Sequence, residues 1–186
     1  MNLFTKWASR EYPLWVRILV SVLVGGTLFV FLIPYLLIVV LPRLDAKFGF
    51  HPLELGPWNV ILGILMAGTG FYFAFRTVYS QFSTASGTPL PVMATQKLLV
   101  DGVYQYCRNP MVFGTLLAYL GIAIAVGSIS SILAVLIFGG LLLTYVKKVE
   151  ERELEARFGQ EYLDYKANTP FLFPRFDKRK KKDNNI

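Results

Sequence analysis

Cysteine and histidine each occur once in the 186 residues, and charged side chains make up only 17% of them. The lone Cys107 has no intrachain partner, so no disulfide framework holds this chain. The lone His51 rules out a histidine-rich metal site. Charge at this level falls below the roughly 25% usual in soluble domains. Alternating strand and helix patterns are missing, which excludes a Rossmann-type nucleotide domain. Gly68-Thr69-Gly70 is no substitute, because no strand precedes it and it sits inside an apolar run, where small residues serve helix packing.

Apolar residues are plentiful, at 54%, with 15% aromatic. They fall in charge-free runs over residues 18–42, 57–75 and 111–146. A bilayer-crossing helix needs roughly 20 apolar residues. The first two runs therefore predict one span each, and the third, 36 residues long, predicts two. Gly127-Ser128-Ile129-Ser130-Ser131 supplies a turn near its middle. The expected fold is an all-α integral membrane protein with four spans, or five if Pro34 breaks the first. The first run is too long for a signal-peptide core and no small-residue cleavage site follows it, so it is expected to remain as an anchor. The chain divides into an N-terminal span with its external loop (1–56), a second span (57–80), a polar loop (81–110), a helical hairpin (111–149), a charged segment (150–176) and a basic disordered tail (177–186).

Four spans place both termini on one side of the membrane. Seventeen of the 19 Lys and Arg residues then lie on that side, and only Arg43 and Lys47 lie opposite. This asymmetry predicts that both termini, the 81–110 loop and the charged segment are cytoplasmic. His51 falls on the far side, so no histidine serves a cytoplasmic site. The net charge of +7 is mostly topology. The KRKKK run at 178–182 reads as a solvated tail near anionic lipid headgroups, with no nucleic-acid motif beside it.

Two polar segments bracket the hairpin. The first begins QFSTASGTPLPVMAT, an extended loop by composition, and continues KLLVDGVYQYCRNP. Asn109 suits a helix N-cap and Pro110 the first helical position, so Asn-Pro has a structural explanation beside a functional one. Tyr104, Tyr106 and Arg108 alternate; they would line one side of a pocket, or form an interfacial aromatic belt with a snorkelling arginine. The second segment is VKKVEERELEARFGQEYLDYKANTPFLFPR. Glu153 and Arg157 form an i,i+4 pair, and Gly159 is a C-terminal stop. Glu150 lies one helical step from Val146 and from Leu154, which turns it toward the apolar side, where a carboxylate is costly without a cationic partner. Closing the hairpin predicts a cytoplasmic pocket between the segment before the third span and the C-terminal helix.

These residues carry a resemblance. GVYQYCRNPMVFG resembles the G-x-Y-x-x-x-R-H-P-x-Y-x-G motif of the isoprenylcysteine carboxyl methyltransferases and phospholipid methyltransferases, and their small prokaryotic relatives in particular. EERELEARFGQEYLDYKANTPFLFP is similar to the E-E-x-x-L-x-x-x-F-G-x-x-Y-x-x-Y block of the same integral-membrane enzymes. The likeness covers roughly residues 97–174. Asn109 stands where the family has His, and Val112 where it has Tyr. An imidazole acid/base role is thereby lost, as is one hydroxyl contact. The resemblance implies S-adenosylmethionine binding without a Rossmann fold. Carried over by position, the cofactor residues are Lys97, Leu98, Leu99, Val100, Tyr104, Asn109, Pro110, Met111, Val112 and Glu150. The cofactor's chemistry adds detail. Glu150 suits the ammonium, Tyr104 or Tyr106 the sulfonium, and the amides of Leu98–Val100 the adenine edge. Arg108 suits a carboxylate, the cofactor's or the acceptor's.

The implied reaction is methyl transfer to a lipidic acceptor entering from the bilayer, with the carboxylate of a prenylated cysteine or a similar amphiphile favoured. Such a carboxylate is already ionised at neutral pH. An amine acceptor must first lose a proton, a task for which Glu151 is available. Arg108 and Glu151 are thus the candidate catalytic residues. The alternatives are a phospholipid amine methyltransferase, a membrane reductase using a nicotinamide cofactor, and a non-catalytic scaffold.

Overall fold

A computed structural model describes residues 13–84 and 97–176. The basic tail, most of the QFSTASGTPLPVMAT stretch and the first twelve residues lie outside the described residues. Helix α1 spans Leu14–Phe48, α2 Pro57–Ser83, α3 Pro110–Val126 and α4 Ile129–Phe158, and a short α5 runs Gln160–Asn168. The described residues contain no strand. Three of the helices, α1, α2 and α4, are long and apolar enough to cross a membrane. The apolar α3 is shorter, at 17 residues, near the lower limit for a span. The four apolar helices fall where the four spans are expected. The turn falls where the small residues put it: Gly127 ends α3 in the left-handed conformation at φ 70°, and Ser128 caps α4 by accepting from the Ser131 amide.

Helices α2 and α3 pack closely because glycines remove side chains from their contact. Gly63 meets Gly121, and Gly70 meets Gly114 and Ala118. A Cβ at any of these four glycines would overlap the facing backbone. Gly68, in the same helix, faces open space, so only Gly70 of the Gly-Thr-Gly triplet serves packing.

Pro34 does not create a fifth segment. It sits within the continuous α1, between stretches Ser21–Leu32 and Leu36–Val40 that carry π-type i→i+5 hydrogen bonding. The Ile33 amide donates to the Leu28 carbonyl in that register. The next carbonyl, Phe29, would need the amide that proline lacks. Tyr119 of α3 supplies the missing donor, its hydroxyl reaching the Phe29 oxygen at 2.7 Å. In a similar way the Ser131 hydroxyl donates to the Leu37 carbonyl at 2.8 Å. Backbone polar groups left unpaired in lipid are expensive, so the wide turns of α1 fix where α3 and α4 attach.

The end of the bundle bearing the α3–α4 turn is locked by two buried polar side chains. Asp45 accepts from the Ser128 hydroxyl at 2.6 Å and the Ser130 amide at 2.8 Å, placing a carboxylate at the start of α4, where the helix dipole favours it. Asn59 donates to the Leu53 and Ile124 carbonyls and accepts from the Leu55 amide. Sequence reading missed both residues, whose only signal is a polar side chain beside an apolar run.

Candidate functional site

The two polar segments meet at the opposite end of the bundle, around the start of α3. The Arg108 amide donates to the Pro170 carbonyl at 2.9 Å, and the Arg175 amide to the Tyr106 carbonyl at 3.0 Å. The stretch after α5 thus straps the loop before α3. The Tyr165 hydroxyl reinforces this by donating to the Tyr104 carbonyl at 2.6 Å. The Arg108 guanidinium lies over the Phe171 ring at 5.6 Å.

Within this strap lies an ion network. Arg108 Nη1 is 2.5 Å from Glu151 Oε1, and Lys166 Nζ is 3.1 Å from Glu151 Oε2. Lys166 also pairs with Glu155. That pairing, with Glu155 contributing most, holds the Lys166 ammonium above its ordinary pKa. Glu151 is buried, at 4% exposure, with both oxygens held by cations. Arg108 Nε is buried and has no acceptor among the described residues.

Of the carboxylate pair, Glu151 is the one closed off from solvent; Glu150 keeps solvent contact along its side chain, yet burial of its carboxyl, with the Glu153 and Glu151 charges beside it, raises that group above its ordinary pKa. Residues Val146–Glu150 form a π-type turn in which the Glu151 amide donates to the Val146 carbonyl. A π-turn holds one extra residue, so the face beneath buried Val146 passes to position 151. Glu150 has no ion-pair partner among the described residues, whereas Glu151, Glu153 and Glu155 each have one. The Glu153–Arg157 pair forms as expected, at 3.5 Å, and Gly159 ends α4 with φ 54°.

Tyr104, Tyr106 and Arg108 do not share one side. Tyr104 lies in the 3₁₀ turn Gly102–Gln105, which destroys the alternation. Its hydroxyl accepts from Gln81 Nε2 of α2 at 2.9 Å. Burial raises the Tyr104 phenol above its ordinary pKa, and the Glu150 carboxylate adds to the effect. Tyr106 instead stacks on Phe176 at 5.1 Å. Asn109 occupies the cap position of α3, but its side chain makes no capping bond. Its Nδ2 donates to the Phe171 carbonyl at 2.9 Å, so it holds the strap. Pro110 is the first residue of α3, as expected. Lys97 is exposed and Leu99 buried, with Leu98 and Val100 between these extremes. The amides of Leu98, Leu99 and Val100 donate to no backbone carbonyl among the described residues.

From this end an apolar cavity of about 540 Å³ runs between α1, α2 and α3. Ile18, Phe82 and Met111 line it near the start of α3, and Phe29 and Tyr119 line it deeper in the bundle. Val112 is partly buried beside Met111.

Four apolar helices, a strapped polar junction and an apolar cavity leading away from it define a membrane protein. The model of the phospholipid methyltransferase family matches residues 58–161, and the chain belongs to that family. It is 27% identical over 141 residues to a methanethiol S-methyltransferase of Crocosphaera subtropica (strain ATCC 51142 / BH68), covering 74% of this chain and 51% of the relative. The chain thus spans about half the length of that curated relative.

Proposed function

We propose that the protein transfers a methyl group from S-adenosylmethionine to a lipidic acceptor, with the carboxylate of a prenylated cysteine or a similar amphiphile as the favoured nucleophile. The observation that carries this reading is the continuity of the apolar cavity with Met111, inside the Asn109–Val112 motif, at the end where Tyr104 and Glu150 also lie. The charge distribution supports placing that end and both termini in the cytoplasm.

The residues fit the cofactor's polar groups. Glu150, a carboxylate without an ion-pair partner among the described residues and raised by burial above its ordinary pKa, suits the ammonium. Arg108 Nε, buried without an acceptor among the described residues, suits the carboxylate. The amides of Leu98–Val100 suit the adenine edge, with Lys97 beside them. When bound, the cofactor supplies an electrophilic methyl on sulfur. With the cofactor's ammonium on Glu150 and its carboxylate on Arg108, the carbon–sulfur bond would break as an acceptor oxygen took the methyl, giving a neutral ester and a thioether. A carboxylate acceptor needs no base. Glu151, held by two cations, fits the role of positioning Arg108 better than that of a proton acceptor. Alignment is the main contribution asked of the protein, worth about 7–11 kcal/mol in favourable cases.

A thiol acceptor is the second reading, favoured by the name of the Crocosphaera relative. The test is calorimetric titration of S-adenosylhomocysteine into the purified full chain, followed by transfer of labelled methyl to S-farnesyl-N-acetylcysteine, dodecanethiol and phosphatidylethanolamine. One-to-one binding weakened at least tenfold by Glu150→Gln is expected, because the amide carries no charge to pair with the cofactor's ammonium. Absence of binding by folded protein refutes the proposal, and the methylated acceptor decides between the two readings.

A further inference from the structure

We infer that the cavity between α1, α2 and α3 is a measuring site for the acceptor's apolar chain, with Tyr119 as its floor and Gly25 and Gly26 as its open wall. This rests on the methyl-transfer reading and extends it to residues outside the family match, since α1 lies before residue 58. Met111 to Tyr119 is eight residues of α3, about 12 Å at 1.5 Å per residue. That depth suits an extended chain of roughly ten carbons below the polar junction. The volume of about 540 Å³ corresponds to roughly 18 water-sized groups at about 30 Å³ each, which leaves room for branching.

The floor is fixed rather than yielding. Tyr119 is 2% exposed and its hydroxyl is tied to the carbonyl that Pro34 leaves without an amide. The wall is vacant by sequence. A Cβ at Gly25 would meet nothing within 4 Å, and one at Gly26 only the Ser21 carbonyl at 3.9 Å. Glycine here is not required by helix contact, unlike the four glycines between α2 and α3, and its effect is to keep space beside Phe29 and Tyr119 open.

The test is photolabelling of the full chain in lipid nanodiscs with alkyl carboxylates of 6 to 18 carbons bearing a terminal diazirine, mapped by peptide mass spectrometry. Labels on Tyr119 or Phe29 are expected at a chain length near ten carbons. Gly26→Leu, whose Cβ meets nothing closer than the Ser21 carbonyl at 3.9 Å, should lower that labelling at least fivefold. Tyr119→Ala should shift the floor label to longer chains, and Tyr119→Phe should not. Unchanged labelling in Gly26→Leu overturns the inference, as does labelling independent of chain length, the pattern of ordinary bilayer lipid. If Tyr119→Ala fails to fold, Gly26→Leu decides alone. Labelled cavity without S-adenosylhomocysteine binding refutes the methyltransferase reading only; binding of S-adenosylhomocysteine without a labelled cavity refutes this inference only.

Discussion

Arg108 and Glu151 meet at 2.5 Å, one at the entry to α3 and the other just below the bilayer portion of α4. The pair closes the junction where the two polar segments meet. Lys166 from α5 takes the second carboxylate oxygen, so three elements converge on one buried anion.

Removing that anion leaves cations behind. Glu151→Ala should destabilise the protein by about 3–5 kcal/mol, the usual result of breaking a buried pair from one side. Arg108→Met with Glu151→Met should lose less than either single change. Thermal denaturation in detergent, read by tryptophan fluorescence, checks both.

Tyr119→Phe should cost about 1–2 kcal/mol, because the Phe29 carbonyl then lacks a donor inside the membrane. Pro34→Ala restores a backbone amide in the same register and should recover most of that loss. A double-mutant cycle measures the coupling. Additive effects would show that Tyr119 does not compensate for the proline.

Gly70→Ala should push α2 and α3 apart at a cost of about 1–3 kcal/mol. Gly68→Ala, in the same turn but facing open space, should show no loss. Comparing their melting temperatures separates packing from helix propensity.

Cys107 is fully buried, and burial pushes its thiol up to about 11 from an ordinary 9.0. At pH 9 the unfolded thiol is half ionised and the folded one about a hundredth. The neutral thiol belongs to the folded state, so its contribution to stability is complete below pH 9 and is withdrawn as pH climbs toward 11. Iodoacetamide at pH 9 should label denatured protein rapidly and native protein at least fiftyfold more slowly.

The spans were legible because membrane helices leave long charge-free runs, and the hairpin turn and the stop at Gly159 because glycine there adopts positive φ. The meeting of the two polar segments followed from counting spans. The Glu150–Glu151 exchange was not legible: an extra residue in one turn leaves no mark in composition, yet it moves every later side chain around the helix. The same holds for Tyr119, whose partner carbonyl is exposed only once α1 widens around Pro34. Tyr104 and Tyr106 misled because a 3₁₀ turn and an extended strand look alike over three residues.

The strap also sets when the protein becomes complete during its synthesis. Arg108 awaits the carbonyl of Pro170, made 62 residues later, which is about 3–12 s of translation at 5–20 residues per second. All four apolar helices are synthesised before that point. A chain ending after α4 would hold every apolar helix but not the carbonyl that Arg108 uses, so crossing the membrane and closing the polar junction draw on different parts of the chain.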